Sequence, residues 1–75
     1  MDMKDFGTLL RTLRKQKSMT QEALADRLCV STSAISKWEN GKNLPDIALM
    51  QKLAQIFEIS LDDLCNCEET LTAIN

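Results

Sequence analysis

Apolar side chains recur along this chain at intervals of three and four. Phe6, Leu9, Leu10 and Leu13 fall at i, i+3, i+4 and i+7, which is one face of an α-helix, and Arg11, Arg14, Lys15 and Lys17 lie largely off that stripe. The spacing predicts a helix over about residues 4–17, with Gly7 weakening its first turn. Thr20 is a good N-cap and Glu22 follows in the first turn, so a second helix is expected from Gln21 to Leu28 with Leu24, Ala25 and Leu28 inward. Cys29 and Val30 form a break. Ser31 caps a third helix over about Thr32 to Asn40, Val30 and Ile35 make a hydrophobic staple across its start, and Gly41 stops it. Asn43-Leu44-Pro45 reads as a loop and Asp46 as the cap of a fourth helix, whose inner face is Met50, Leu53, Ala54 and Phe57. Ser60 with Asp63 resembles a capping box and Ile59 with Leu64 a second staple, which starts a fifth helix near Leu61. Beyond Asn66 the apolar pattern is too short to assign. No strand alternation, repeat or linker is visible. The expectation is a compact all-α domain of five helices over residues 1–66, followed by a tail over 67–75.

Composition narrows the function. With 75 residues, 44% hydrophobic and 27% charged, the chain is one globular domain's worth of sequence. Its longest aliphatic run, Ile47-Ala48-Leu49-Met50, falls far short of the ~18 residues of a membrane span. No basic-then-apolar leader opens it, and three cysteines is an odd number, so reduced thiols in a cytoplasm are expected. The chain has no His. On a continuous helix Cys65 and Cys67 point about 200° apart, so no metal site is expected from them. No nucleophile–base pair, phosphate loop or ligand cluster is present, so neither an enzyme nor a cofactor is expected.

The net charge of −2 leans weakly against a nucleic-acid partner, but it hides a split. Residues 1–45 hold eight basic and five acidic side chains, a net +3, and residues 46–75 hold one and six, a net −5. An anionic partner would meet the first part and be repelled by the second. The middle of the chain sharpens this. Two short helices joined by a three-residue break pack at a steep angle. Ala25 suits their close crossing, Val30 plugs the turn, and Ile35 and Trp38 hold the third helix inward. Thr32, Ser33, Ser36, Lys37 and Asn40 are left on its outer face, a polar ridge with no acid before Glu39. A DNA major groove, ~12 Å wide, admits such a helix.

These residues carry a resemblance. Leu13-Arg14, Thr20-Gln21-Glu22-Ala23-Leu24-Ala25, Val30-Ser31, Ile35-Ser36-Lys37-Trp38-Glu39-Asn40-Gly41, Pro45, Leu53-Ala54 and Ile59-Ser60-Leu61-Asp62-Asp63-Leu64 occur in order. Residues 9–64 resemble the lambda-repressor-like helix-turn-helix family, the Cro- and cI-type or XRE-type regulators. One position departs from it: the turn residue usually held by Gly is Cys29. The resemblance implies a sequence-specific transcriptional regulator, expected to be a repressor, that acts as a homodimer on a palindromic double-stranded DNA operator, with the third helix in the major groove. It also implies a partly buried ion pair between Arg14 and Glu39.

The residues themselves suggest finer roles. Thr32, Ser33, Ser36 and Lys37 are placed to read base edges, Lys37 by donating to guanine O6 or N7 and Thr32 by touching a thymine methyl. Gln21 at the start of the second helix, Ser31 (chiefly a cap), and Asn40, Lys42 and Asn43 past the third helix are candidate phosphate contacts. Leu61, Leu64, Cys65, Leu71 and Ile74 give the acidic end more apolar surface than so short a segment buries alone, which suggests the dimer contact. Two other readings stay open: an antitoxin-like module that binds a toxin protein, and the DNA-binding head of a longer regulator.

Overall fold

Five of the helices begin at a side chain that satisfies one of their free N–H groups. In the computed structural model, which describes residues 2–74, these are α1 (Met3–Gln16), α2 (Gln21–Leu28), α3 (Thr32–Glu39), α4 (Ile47–Phe57) and α5 (Leu61–Cys65). Asp2, Thr20, Ser31, Asp46 and Ser60 accept from the backbone N–H of Lys4, Ala23, Ala34, Leu49 and Asp63 at 2.8–3.1 Å. The predicted starts of α2, α3, α4 and α5 are met because a cap is a local signal that does not depend on the rest of the fold.

Where the helices stop is less local. Four of them end with a residue in the left-handed region: Ser18 (φ 55°), Cys29 (φ 58°), Gly41 (φ 71°) and Glu58 (φ 57°). At each, the next residue's N–H reaches back five positions, as Val30 N–H does to Ala25 O at 3.0 Å and Lys42 N–H to Lys37 O at 2.9 Å. Only one of the four is glycine. A Cβ in that region costs about 1 kcal/mol, and the Cys29 side chain is exposed, so nothing offsets the cost there. Cys29→Gly is therefore expected to stabilise the domain by up to about 1 kcal/mol, less what the freer unfolded chain takes back. A thermal melt checks it; an unchanged or lower midpoint would show the turn to be unstrained.

Among the described residues the structure has the five expected helices and one more. Residues Cys67–Ile74 form α6, which packs on α1 and α5. Asn66 (φ −96°, ψ 59°) breaks the chain between Cys65 and Cys67, so the two cysteines are not on one continuous helix. Cys67 is buried and its thiol donates to Leu64 O at 3.0 Å. Burial pushes that thiol's pKa up, which makes it a poor nucleophile. The Thr70 hydroxyl donates to Asp63 O at 2.6 Å and ties α6 to α5. Packing thus continues across residue 66, where the sequence suggested a boundary.

Every described helix contributes side chains to one core. Phe6, Leu9, Leu10, Leu24, Ile35, Leu53 and Leu64 are fully enclosed in it. Leu64 was expected at a subunit contact; its 0% exposure removes it from that surface. Leu61 and Leu71 are half-buried against the same core, and the Ile74 side chain lies outside the described residues. No described helix is long and apolar enough to cross a membrane.

Candidate nucleic-acid interface

Helix α3 is held by its inner face. Ile35 and Trp38 are buried in the core, and Gly7 of α1 lies so close that a Cβ there would sit 2.6 Å from Trp38 O and 2.5 Å from Glu39 O. Gly7 is thus the contact that lets α1 meet the end of α3, a role its helical context did not reveal.

At 100° per residue, Thr32, Ser36, Asn40, Ser33 and Lys37 fall within an arc of about 140° on the opposite side. Thr32, Ser33, Lys37 and Asn40 are exposed and Ser36 is half-buried. Lys42 and Asn43 are exposed just beyond. The one acid of α3, Glu39, is turned inward, and its side chain is 0% exposed. The outer face of α3 is therefore polar, acid-free and cationic at Lys37.

Glu39 sits in a cage of donors. Arg14 grips it with two bonds, Nε to Oε2 at 2.7 Å and Nη2 to Oε1 at 3.1 Å, and donates Nη1 to Met19 O at 2.8 Å. Arg11 Nε reaches Oε1 at 3.4 Å and Gln21 Nε2 reaches it at 3.2 Å. Burial alone would raise the Glu39 pKa. The bonds from Arg14 and Gln21, the Arg14 charge and the bond from Arg11 overcome that, and the carboxyl ends below its ordinary value of 4.5. The same pairing raises the Arg14 pKa. The cage joins α1, the start of α2 and the end of α3, so it sets the angles at which the two helices of the motif leave α1. Among the described residues no buried side-chain polar atom lacks a partner.

The expected Arg14–Glu39 pair is present, but two further members of the cage, Gln21 and Arg11, were not foreseen. Gln21, read as a phosphate contact, instead spends its amide on Glu39, because a buried acceptor draws any donor in reach. One N–H of that amide and the free backbone N–H groups at the α2 start remain for a phosphate. Arg11 also belongs to the cage. Its only signal in the sequence is its place one turn before Arg14 on α1. The Ser31 hydroxyl accepts the α3 cap bond from Ala34 N–H and keeps its proton to donate. Asn40 accepts from Arg11 Nη2 at 3.4 Å and donates to Ser36 Oγ at 3.2 Å. Among the described residues no group of three or more His, Cys, Asp or Glu side chains is placed to hold a metal ion.

Comparison with known proteins agrees with this geometry. A family model described as helix-turn-helix (HTH_3) matches residues 10–64. The chain is 41% identical over 68 residues to the HTH-type transcriptional activator BcrR of Enterococcus faecalis, covering 91% of this chain but 33% of that protein. It is 36% identical over 69 residues to the HTH-type transcriptional regulator YazB of Bacillus subtilis (strain 168), covering 92% of this chain and 100% of that one. Among solved structures, the restriction-modification controller protein C.AhdI of Aeromonas hydrophila superposes with a TM-score of 0.76 at 32% identity, covering 84% of this chain and 96% of that one.

Proposed function

The chain belongs to the helix-turn-helix family of DNA-binding transcriptional regulators, and from that premise we propose that it reads a specific double-stranded DNA operator in the cytoplasm with α3 in the major groove. The observation that carries this reading is the outer face of α3: polar, free of acids, and rigidly backed by Trp38 and the Glu39 cage. Thr32, Ser33, Ser36 and Lys37 face base edges. Asn40, Lys42, Asn43 and the N-terminus of α2 meet the backbone and set register.

Selection of preferred duplexes from random DNA tests this. Lys37→Ala is expected to relax the choice at one base pair per half-site and to cost about 1–3 kcal/mol there. Lys42→Ala should weaken all sequences about equally and flatten the dependence on salt. An unchanged preferred site and affinity for Lys37→Ala would remove Lys37 from base reading.

The functional unit in this proposal is a homodimer on a palindromic site. One eight-residue helix reads too few base pairs to find a single site among a genome's competitors, and a two-fold axis doubles the readout. Leu61 and Leu71 keep part of their surface, and Ile47 is 62% exposed. Sedimentation of the parent and of Leu61→Lys and Ile47→Lys, with and without operator, locates the contact. A parent that stays monomeric on its operator would end the dimer proposal.

A further inference from the structure

A helix about 10–12 Å across fills a major groove ~12 Å wide, so the surfaces beside the ends of a seated helix meet the phosphates along the groove walls. At the C-terminal end of α3 that surface is α1. Arg11 Nη2 donates to Asn40 Oδ1 at 3.4 Å, and a Cβ on Gly41 would lie 3.3 Å from Lys4 Cγ. At 100° per residue Lys4, Thr8, Arg11 and Lys15 fall within an arc of about 60°, opposite the core face of α1, and all four are exposed. The three cations span about 16 Å of the helix. Thr8, between them, turns its hydroxyl back onto Lys4 O. Asp2 caps the start of the helix, and Asp5, half-buried, lies about 100° round from Lys4. Neither acid forms an ion pair with the stripe: among the described residues the pairs are those of Arg11 and Arg14 with Glu39 and of Lys17 with Glu58. The Glu39 cage itself holds a surplus. Arg14 already engages both carboxylate oxygens, and Arg11 adds a second cation at 3.4 Å with 46% of its side chain exposed. Two guanidinium groups thus face one carboxylate, and three of the five N–H groups of Arg11 have no partner among the described residues.

We propose that the outer face of α1 is a further DNA-backbone surface, on which Arg11 holds a phosphate of the operator and Lys4 and Lys15 extend the contact along the strand. The planar guanidinium fork matches phosphate oxygens, and the two lysines act as point charges. Contacts of this kind carry no sequence information; they add affinity and fix the register in which α3 meets the bases. With a net charge of −2 the chain has no general attraction for DNA, so its cations count where they are gathered. The inference rests on the placement of α3 in the major groove and adds α1 to the footprint.

The test measures how affinity falls with salt for the full chain and for Lys4→Gln, Arg11→Gln and Lys15→Gln, on the duplex that the parent selects from a random pool. Circular dichroism verifies that each variant is helical. Lys52→Gln, on α4, removes the same charge from another element. Each α1 variant is expected to flatten the slope of log affinity against log salt by about 0.9 per protomer and to keep the preferred sequence. Lys52→Gln should change neither. Arg11→Gln also disturbs the cage, and if it does not fold the two lysines suffice. A neutral methylphosphonate, set at one phosphate at a time, gives a second reading: the parent should lose affinity at each contacted phosphate, and each lysine variant should become insensitive at its own. Parental slopes in Lys4→Gln and Lys15→Gln would make the stripe a solvated face and overturn the inference. Equal flattening by Lys52→Gln would show an effect of net charge alone and overturn it as well. A parent that selects no sequence at all would instead overturn the assignment of α3 to DNA.

Discussion

Trp38→Ala is expected to cost about 3–5 kcal/mol, a large share of the stability of any domain this small. Trp38 is the only tryptophan and is 5% exposed. The void left by its indole has little chance to collapse. The backbone of α3 already touches α1 at Gly7, where no Cβ would fit, so the two helices cannot close further. A loss of this size lowers the melting midpoint by roughly 15–30 °C for a domain of this length. Circular dichroism melts follow it without the lost fluorophore, and Trp38→Phe should recover part of the loss. A Trp38→Ala protein that melts cooperatively within a few degrees of the parent would mean that the inner face of α3 does not bear on the core.

Glu39→Ala is expected to cost about 3 kcal/mol and to do so with a distinctive pH signature. Removing one member of a buried pair leaves the other uncompensated, at about 3–5 kcal/mol, and the lower figure applies because Arg14 keeps 12% side-chain exposure and the Met19 carbonyl. The sign of the pH effect follows from the direction of the shift. The folded pKa of Glu39 lies below its ordinary 4.5, so its contribution is fully present above that value and is lost as pH falls through the lower folded one. The guanidinium partners stay charged throughout. Urea unfolding of the parent from about pH 7 down to about pH 3 should show an acid limb, and Glu39→Ala should flatten it. An equally steep limb in both proteins would place the titrating group elsewhere. Operator affinity should fall further than the stability loss alone explains, because the cage sets the angle of α3.

The starts of α2 to α5, the inward faces of α1 to α4 and the polar ridge of α3 were legible because each depends on residues within about one turn of one another. A hydroxyl or carboxylate three positions before a free N–H, or apolar groups three and four apart, has the same meaning in any fold. The ordered motif then made the Arg14–Glu39 pair readable as well, through resemblance to a family rather than through local chemistry.

The remainder was decided by contacts between residues far apart in the chain. Gly7 reads locally as a helix defect and is in fact where the α3 backbone rests on α1. Gln21 reads as a phosphate ligand until Glu39, eighteen positions on, takes its amide. Leu64 looks like spare apolar surface until the shared core encloses it, and α6 carries no helix signal strong enough to be seen before its docking on α1 is known. Caps and periodicity state which segments are helical and which face of each is apolar. They do not state which partner a side chain meets when several are chemically acceptable. That choice is made by the simultaneous close packing of all six helices, which the one-dimensional pattern does not contain.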